Sequence, residues 1–150
     1  MRSRVILALA LALVCLSLDA GAARAENVMG LFFDDRDFAE ETSRVDTTPG
    51  VPFDAYVVLL DAGPSLIGAY ELGISMTSST VTTLSVTGPN GWTNFGAADN
   101  HISGYVTPVP ASSGGTVLAS MRFMQMDRRE VDIMFGPSSP SSLGGAPVIA

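Results

Sequence analysis

An all-β sandwich is the fold class that this sequence predicts for the chain after its first 25 residues, on three observations. Short apolar or alternating runs recur along the chain, separated by Gly, Pro, Asn and Asp, a pattern typical of all-β domains. No stretch keeps apolar residues at helical spacing for more than a turn or two. The remaining length, about 125 residues, is enough for one hydrophobic core. We therefore predict a single sandwich of about seven or eight strands.

The first 25 residues predict a cleavable secretory signal peptide. Two arginines, Arg2 and Arg4, precede an apolar stretch, Val5–Leu18, that is rich in Ala and Leu. Ala23–Ala25 then forms a small-x-small cleavage motif. A membrane anchor is the alternative, but the apolar stretch is about 14 residues long and a bilayer span needs roughly 20. We expect cleavage after Ala25 and a mature protein that is periplasmic or secreted.

Removal of this segment would change the chemistry of the remaining chain. Cys15 is the only cysteine of the sequence, so we expect a mature domain without disulfides or a cysteine-bound metal. Lipidation at Cys15 is an alternative that the preceding Val14 disfavours. The sequence has 8 basic and 15 acidic residues, a net charge of −7. This balance argues against nucleic acid and anionic membranes as partners, because both bind cationic surfaces.

Four strands are predicted in the first half of the mature chain. Val28–Phe33 is short and apolar, and Phe53–Leu60 is rich in β-branched and aromatic residues before the turn at Asp61. Ile67–Met76 alternates, so Tyr70, Leu72, Ile74 and Met76 are expected on one buried face. Thr80–Thr87 is Thr-rich and ends at a Gly-Pro-Asn-Gly turn. Between the first two strands, Asp37–Arg44 could form one helical turn.

Three further strands and one uncertain segment are predicted in the second half. Trp92–Phe95 is interpreted as either a short strand or a tucked loop. Ile102–Val109 is a strand whose prolines suit an edge or a strand end. Thr116–Met124 and Val131–Phe135 alternate apolar and polar residues, which is typical of strands with one buried face.

The predicted domain organisation has three parts: a signal peptide over residues 1–25, a β-sandwich over residues 26–135, and a tail over residues 136–150. Pro, Ser and Gly dominate the tail. The tail finishes on the apolar Pro147–Ala150, which gives the hypothesis of a fragment of a longer reading frame with a truncated final strand.

Three segments resemble strands of cohesin-type β-sandwiches: Val51–Leu59, Leu66–Ile74 and Gly115–Phe123. Met76–Ser79 stands where many cohesins carry a Tyr-Asp-Pro-like turn, so the match is incomplete there. The resemblance implies a cohesin-like or immunoglobulin-like sandwich, without the Cys-Trp-Cys core of true immunoglobulin domains. The whole chain also resembles secreted proteins of environmental bacteria. Neither resemblance implies a particular partner.

An acidic cluster follows the first predicted strand. Asp34, Asp35 and Asp37 could supply several carboxylate oxygens from one loop, the ligands that Ca²⁺ prefers. The loop lacks the glycine and glutamate spacing of an EF-hand. A solvated, charged loop is the alternative interpretation, and it is the one we favour. No other cofactor is expected.

Aromatic residues provide the other candidate site. Trp92 and Tyr105, with Phe95 close in sequence, could form a platform on which a sugar ring stacks. The favoured alternative is that Trp92 covers the core after the Gly-Pro-Asn-Gly turn. His101, the only histidine, is expected in a surface loop, because no Gly-x-Ser-x-Gly elbow or second histidine accompanies it.

These observations predict a secreted, non-enzymatic structural or protein-interaction module of the cell envelope or exterior. The alternative is a carbohydrate-binding module that uses Trp92 and Tyr105. A small hydrolase is a third and weaker interpretation, because no catalytic motif is present. The expected partner is therefore a protein or a glycan at the cell surface.

Overall fold

The computed structural model describes residues 27–63, 66–142 and 147–150, and these residues form the predicted all-β sandwich. The predicted signal peptide, residues 1–25, lies outside the described residues. Within the described ranges, the helical structure is a single 3₁₀ turn, Glu40–Ser43, inside the segment where one turn was predicted. No helix in this part of the chain is long and apolar enough to cross a bilayer.

Nine strands follow one another through the described residues. They are β1 (Val28–Phe32), β2 (Pro52–Leu60), β3 (Leu66–Met76), β4 (Val81–Thr87), β5 (Thr93–Asn94), β6 (Asn100–Pro110), β7 (Thr116–Gln125), β8 (Ile133–Gly136) and β9 (Val148–Ile149). Seven or eight strands were predicted, and the ninth, β9, lies in the tail, where a truncated final strand was the hypothesis. Trp92–Phe95, left open between strand and loop, contains the two-residue β5.

The strands form two antiparallel sheets. The first sheet has the order β1-β2-β7-β4, and the second has the order β5-β6-β3-β8. β9 also pairs with β3, opposite Tyr70 and Glu71, next to the stretch of β3 that pairs with β8. The end of the predicted tail therefore joins the edge of the second sheet.

The core lies between the two sheets and follows the predicted alternation. Tyr70, Leu72 and Ile74 of β3 are buried, and so are Met121 and Phe123 of β7. A β-bulge between Val57 and Val58 shifts the pairing of β2 with β7. Because a bulge offsets the alternation of side chains, Leu118 and Ala119 are both fully buried although they are neighbours in sequence.

The predicted Gly-Pro-Asn-Gly turn connects β4 to β5. The Trp92 amide donates to the Pro89 carbonyl over 2.9 Å, and Asn90 and Gly91 have φ angles of 53° and 70°. Two successive positive φ angles within such a bond define a type I′ turn, which here leads the chain from the first sheet to the second. The turn delivers Trp92 to the margin of the core.

Candidate functional site

The acidic loop after β1 is organised by backbone hydrogen bonds. One carboxylate oxygen of Asp34 accepts from the backbone amides of Arg36 and Asp37, over 2.8 and 3.1 Å. Asp37 accepts from the amide of Ala39 over 3.1 Å. Asp35 lies 3.6 Å from Arg36 in an exposed ion pair. The bonds from the amides of Arg36 and Asp37 lower the pKa of Asp34, and the bond from Arg36 is the larger cause.

Asp34 and Asp37 therefore act as local caps of the loop. Within the described residues, no group of three or more His, Cys, Asp or Glu side chains is arranged to hold a metal ion. Calcium binding at Asp34, Asp35 and Asp37 stays a prediction.

Trp92, Tyr70 and His101 form a line of hydrogen bonds at the core of the second sheet. The indole Nε1–H of Trp92 donates to the Tyr70 hydroxyl over 3.2 Å. The same hydroxyl lies 2.9 Å from Nδ1 of His101, whose Nε2 lies 3.2 Å from the Ala98 carbonyl. The prediction of a surface position for His101 is wrong, because its side chain has no exposed area.

The hydrogen-bond partners of His101 and Tyr70 determine which of their polar atoms carry a hydrogen. The Ala98 carbonyl can only accept, so Nε2 of His101 carries a hydrogen and, in the neutral ring, Nδ1 accepts from the Tyr70 hydroxyl. Every polar atom of the line is thereby bonded, and none is directed at solvent. Burial lowers the pKa of His101 and raises that of Tyr70 to about 12. The line is a structural element of the core.

Tyr105 lies on the same inner side of the second sheet. Its hydroxyl donates across the sandwich to the Leu118 carbonyl over 2.8 Å, and burial raises its pKa. Its ring centre lies 6.2 Å from that of Tyr70. Trp92 and Tyr105 both pack against the core, as the alternative interpretation of Trp92 states. A glycan site on these two rings stays a prediction, and their polar atoms are already engaged inside the protein.

The outer side of the second sheet presents an apolar surface to solvent. Side chains alternate along a strand, so the buried Tyr70 and Leu72 place their neighbours in β3 outward, and His101 and Ser103 do the same in β6. Register then brings the outward residues of β3, β5 and β6 together. We name this surface the apolar face; its residues are Ala69, Thr93, Phe95, Ile102, Gly104 and Val106.

Phe95 and Val106 are the most exposed apolar side chains of this face. Phe95 is 79% exposed and Val106 is 84% exposed. Phe95 is held in register with β6 by a backbone bond from its amide to the Ile102 carbonyl over 3.0 Å. Gly104 precedes Val106 by two residues on β6 and lies opposite both Thr93 of β5 and Ala69 of β3.

The outer side of the first sheet differs in chemistry. Arg122 lies opposite Asp54 at 3.8 Å, and Ser120 lies opposite Tyr56. The strand β4 adds exposed Thr82 to the same side. A charged and hydroxylated surface of this kind is usual for a sheet that faces water. The contrast makes the apolar face the distinguishing surface of the sandwich.

A segment that we name the strap, Pro137–Ser142, crosses the second sheet beside the apolar face. The side chain of Asn100 bonds to both the amide and the carbonyl of Ser139, each over 2.8 Å. The carboxylate of Glu71 accepts from the Ser138 hydroxyl and from the amide and hydroxyl of Ser142. The strap therefore covers Glu71, Gly73 and Asn100, a polar part of the same outer side that lies next to the apolar face.

A wide groove of about 1020 Å³ opens where β1 ends and β8 begins. Phe33, Phe53 and Ile133 contribute apolar surface to its lining. Its charged lining consists of three arginines and three carboxylates: Arg44, Arg128, Arg129, Asp46, Glu130 and Asp132. Because the charges balance, the groove favours no charge class of ligand.

Sequence reasoning identified Phe95 as a nearby aromatic but assigned no role to Val106, Glu71 or the strap. The alternation of side chains within β3 and β6 shows which residues face outward, but only once the pairing register of the strands is known. Comparisons of the chain with protein-family models, with curated proteins and with solved structures give no match.

Proposed function

We propose that the protein is an exported, non-enzymatic interaction module that binds a protein partner through the apolar face. The observation that carries this proposal is the exposure of Phe95 and Val106, at 79% and 84%, beside the outward residues of β5 and β6. Contiguous exposed apolar surface on a folded domain is typical of an interaction site, because leaving it in water costs free energy that a partner recovers.

The chemistry of the face supports a protein partner over a glycan. Thr93 is its one polar side chain, whereas sugars are recognised through several placed hydrogen-bonding groups. No arginine belongs to the face, so it provides no footprint for nucleic acid. An apolar centre flanked by an aromatic residue is what the buried core of a protein–protein interface contains.

The placement of the titratable core residues supports the non-enzymatic part of the proposal. His101, Tyr70 and Tyr105 are the groups whose pKa values shift through burial in the core. Catalytic groups with shifted pKa values lie in clefts that a substrate can enter. Here the three residues bond to one another or to backbone carbonyls between the sheets.

Retention of proteins by the immobilised domain tests this function. The wild type, Val106→Asp and the matched control Thr82→Asp are each incubated with the envelope and secreted fractions of producing cells, and retained proteins are quantified by mass spectrometry. Both substitutions place a new carboxylate at an exposed strand position, one on each sheet.

We expect a specific protein that the wild type and Thr82→Asp retain equally and that Val106→Asp retains at least roughly tenfold less, because a charge buried in an apolar interface is costly. Equal retention by all three, or retention of a second copy of this chain alone, would contradict the proposal. Urea unfolding confirms that both variants remain folded.

A further inference from the structure

A segment that we name the Trp92 segment, Trp92–Asp99, leads from the type I′ turn into β6 and carries Phe95. Its pairing with the sheet is short, because β5 pairs with β6 through Thr93 and Asn94 alone. All its residues are exposed or half-buried. A short surface segment of this kind opens at a lower free energy than the long strands of the core.

The line of hydrogen bonds through Tyr70 fastens the Trp92 segment to the core at both of its ends. At the first end, the indole of Trp92 bonds to the Tyr70 hydroxyl, and its ring centre lies 6.1 Å from that of His101. At the other end, Nε2 of His101 donates to the Ala98 carbonyl over 3.2 Å, while Nδ1 bonds to the same Tyr70 hydroxyl. The imidazole of His101 therefore joins the end of the segment to its beginning.

The surroundings of His101 suit a neutral ring. Burial lowers the pKa of His101, and the Ala98 carbonyl and the charge of Asp99 partly oppose this effect. Tyr70 is uncharged near neutral pH, because burial raises its pKa to about 12. The described strands contain three charged side chains, all on the outer sides of the sheets: Asp54, Glu71 and Arg122. Among the described residues, no carboxylate forms an ion pair with the ring.

Protonation of His101 changes this arrangement in two ways. Nδ1 becomes a donor, so it no longer accepts from the Tyr70 hydroxyl, and the hydroxyl oxygen then faces the N–H groups of both the imidazole and the Trp92 indole. The ring also acquires a positive charge although it has no exposed area. Because a buried charge without a partner is costly, a conformation in which water reaches the ring is increasingly favoured as the pH falls.

We propose that acid releases the Trp92 segment: protonation of His101 detaches Trp92 and the segment from the core, while the two sheets stay paired. His101 is the second residue of β6, so water reaches its ring at the end of the strand once the segment leaves. Release also withdraws Phe95 from the apolar face, which is complete only while His101 is neutral. Between the ordinary pKa of 6.5 and the lower pKa of the buried ring, the ratio of open to closed molecules rises about tenfold per pH unit. The inference does not depend on the proposed function.

Trp92 is the one tryptophan of the sequence, so fluorescence of the full chain reports on this segment. An acid titration from about pH 7.5 to about pH 4.5, the range in which a histidine titrates, follows its emission maximum and its quenching by acrylamide. Far-UV circular dichroism follows the sheets in the same samples. We expect the emission to move to longer wavelength and the quenching to increase, with the circular dichroism unchanged. A change that takes up one proton spreads over about two pH units.

Variants assign the transition to His101. His101→Gln cannot take up the proton, so its emission should stay constant over this range. Asp99→Asn keeps the ring but removes the charge that favours its protonated form, so its transition should lie at lower pH than that of the wild type. Asp46→Asn, which removes an exposed carboxylate elsewhere, is the matched control and should behave as the wild type.

The proposal is overturned if the emission of the wild type changes only together with the circular dichroism, which reports global unfolding, or does not change at all. It is also overturned if His101→Gln shows the wild-type transition. Should His101→Gln fail to fold, the comparison of Asp99→Asn with Asp46→Asn decides, because equal transition midpoints in these two variants contradict the role of the His101 proton.

Discussion

His101 was predicted to lie in a surface loop, but the structure buries it in the core. A lone histidine beside Asp99 and Asn100 suggests a polar loop, yet its ring is fully buried and both ring nitrogens are bonded. The prediction of a surface position is wrong because the ring is bonded to the Tyr70 hydroxyl, on the neighbouring strand, and to the Ala98 carbonyl. The sequence alone places neither group beside His101. Buried polar groups are tolerated when they are bonded in this way.

Tyr70→Phe should destabilise the fold by about 1–3 kcal/mol, because it leaves Trp92 Nε1–H and His101 Nδ1 without a partner in the core. Urea unfolding measures the change. Tyr56→Phe is the control, since the hydroxyl of Tyr56 takes part in no hydrogen bond among the described residues and lies on the outer side of the first sheet. Equal stability of Tyr70→Phe and the wild type would show that the line of bonds contributes nothing.

His101 should also make stability depend on pH. Burial lowers its pKa in the folded state, partly opposed by the Ala98 carbonyl and Asp99, from an ordinary value of 6.5. The unfolded chain then binds a proton that the folded chain does not. Stability is therefore complete above about pH 6.5 and falls as the pH drops below it, by at most about 1.4 kcal/mol per pH unit.

The chain has one histidine, so His101→Gln removes this dependence. We expect its stability to be constant between pH 6.5 and 5, where the wild type loses stability. Asp34 and Glu71 also make the protein less stable as the pH falls, but at lower pH than His101. Folding lowers the pKa of each carboxyl group, so their effect is confined to below about pH 4.5. Parallel pH curves for wild type and variant would contradict the buried position of the ring.

Among the elements, the long strands were predictable and the short ones were not. β2, β3 and β7 have 9, 11 and 10 residues, and their alternation indicates both their existence and their buried side. β5 and β9 have two residues each, too few for a pattern, and β9 pairs with β3, which is far away in sequence. The bulge at Val57 is likewise a property of the pairing and leaves no local signal.

Gly115, in the turn before β7, supports the loop that follows β1. It has a φ of +113°, and a Cβ atom there would overlap the ring of Phe38, which packs against Phe32 on the first sheet. Gly114 precedes it in the same turn and has open space around its Cβ position. The two glycines thus form a matched pair.

Gly115→Ala should cost about 1–3 kcal/mol, through backbone strain and displacement of Phe38. Gly114→Ala should change stability by less than about 0.5 kcal/mol, as is usual for exposed positions. Thermal and urea unfolding of the two variants measure the difference. Equal effects of the two substitutions would mean that Phe38 is not held against this turn.

For the whole molecule, composition and pattern predicted the sandwich, but they did not locate the apolar face. Phe95 and Val106 share one outer side through the register of β5 with β6, and Ala69 joins them there from β3, which is far away in sequence. The candidate site residues of the sequence analysis were instead close together in the chain. Asp34 and Asp37 bond within their own loop, and Trp92 and Tyr105 pack against the core.

The two outer sides of the sandwich differ: one is charged and hydroxylated, and the other carries the apolar face, with the strap beside it. A contiguous exposed apolar patch on a folded domain is typical of an interaction site. The central claim is therefore that the apolar face, and not the outer side of the first sheet, contacts a protein partner.

Site-specific photo-crosslinking tests this claim most directly. A photoreactive phenylalanine analogue is placed at position 106 or at position 82 of the full chain in producing cells, and adducts are identified by mass spectrometry after irradiation. The account predicts a discrete adduct with one other protein from position 106 and none from position 82, and loss of that adduct when Phe95→Asp is added. Identical adducts from both positions, or none from position 106, would contradict it.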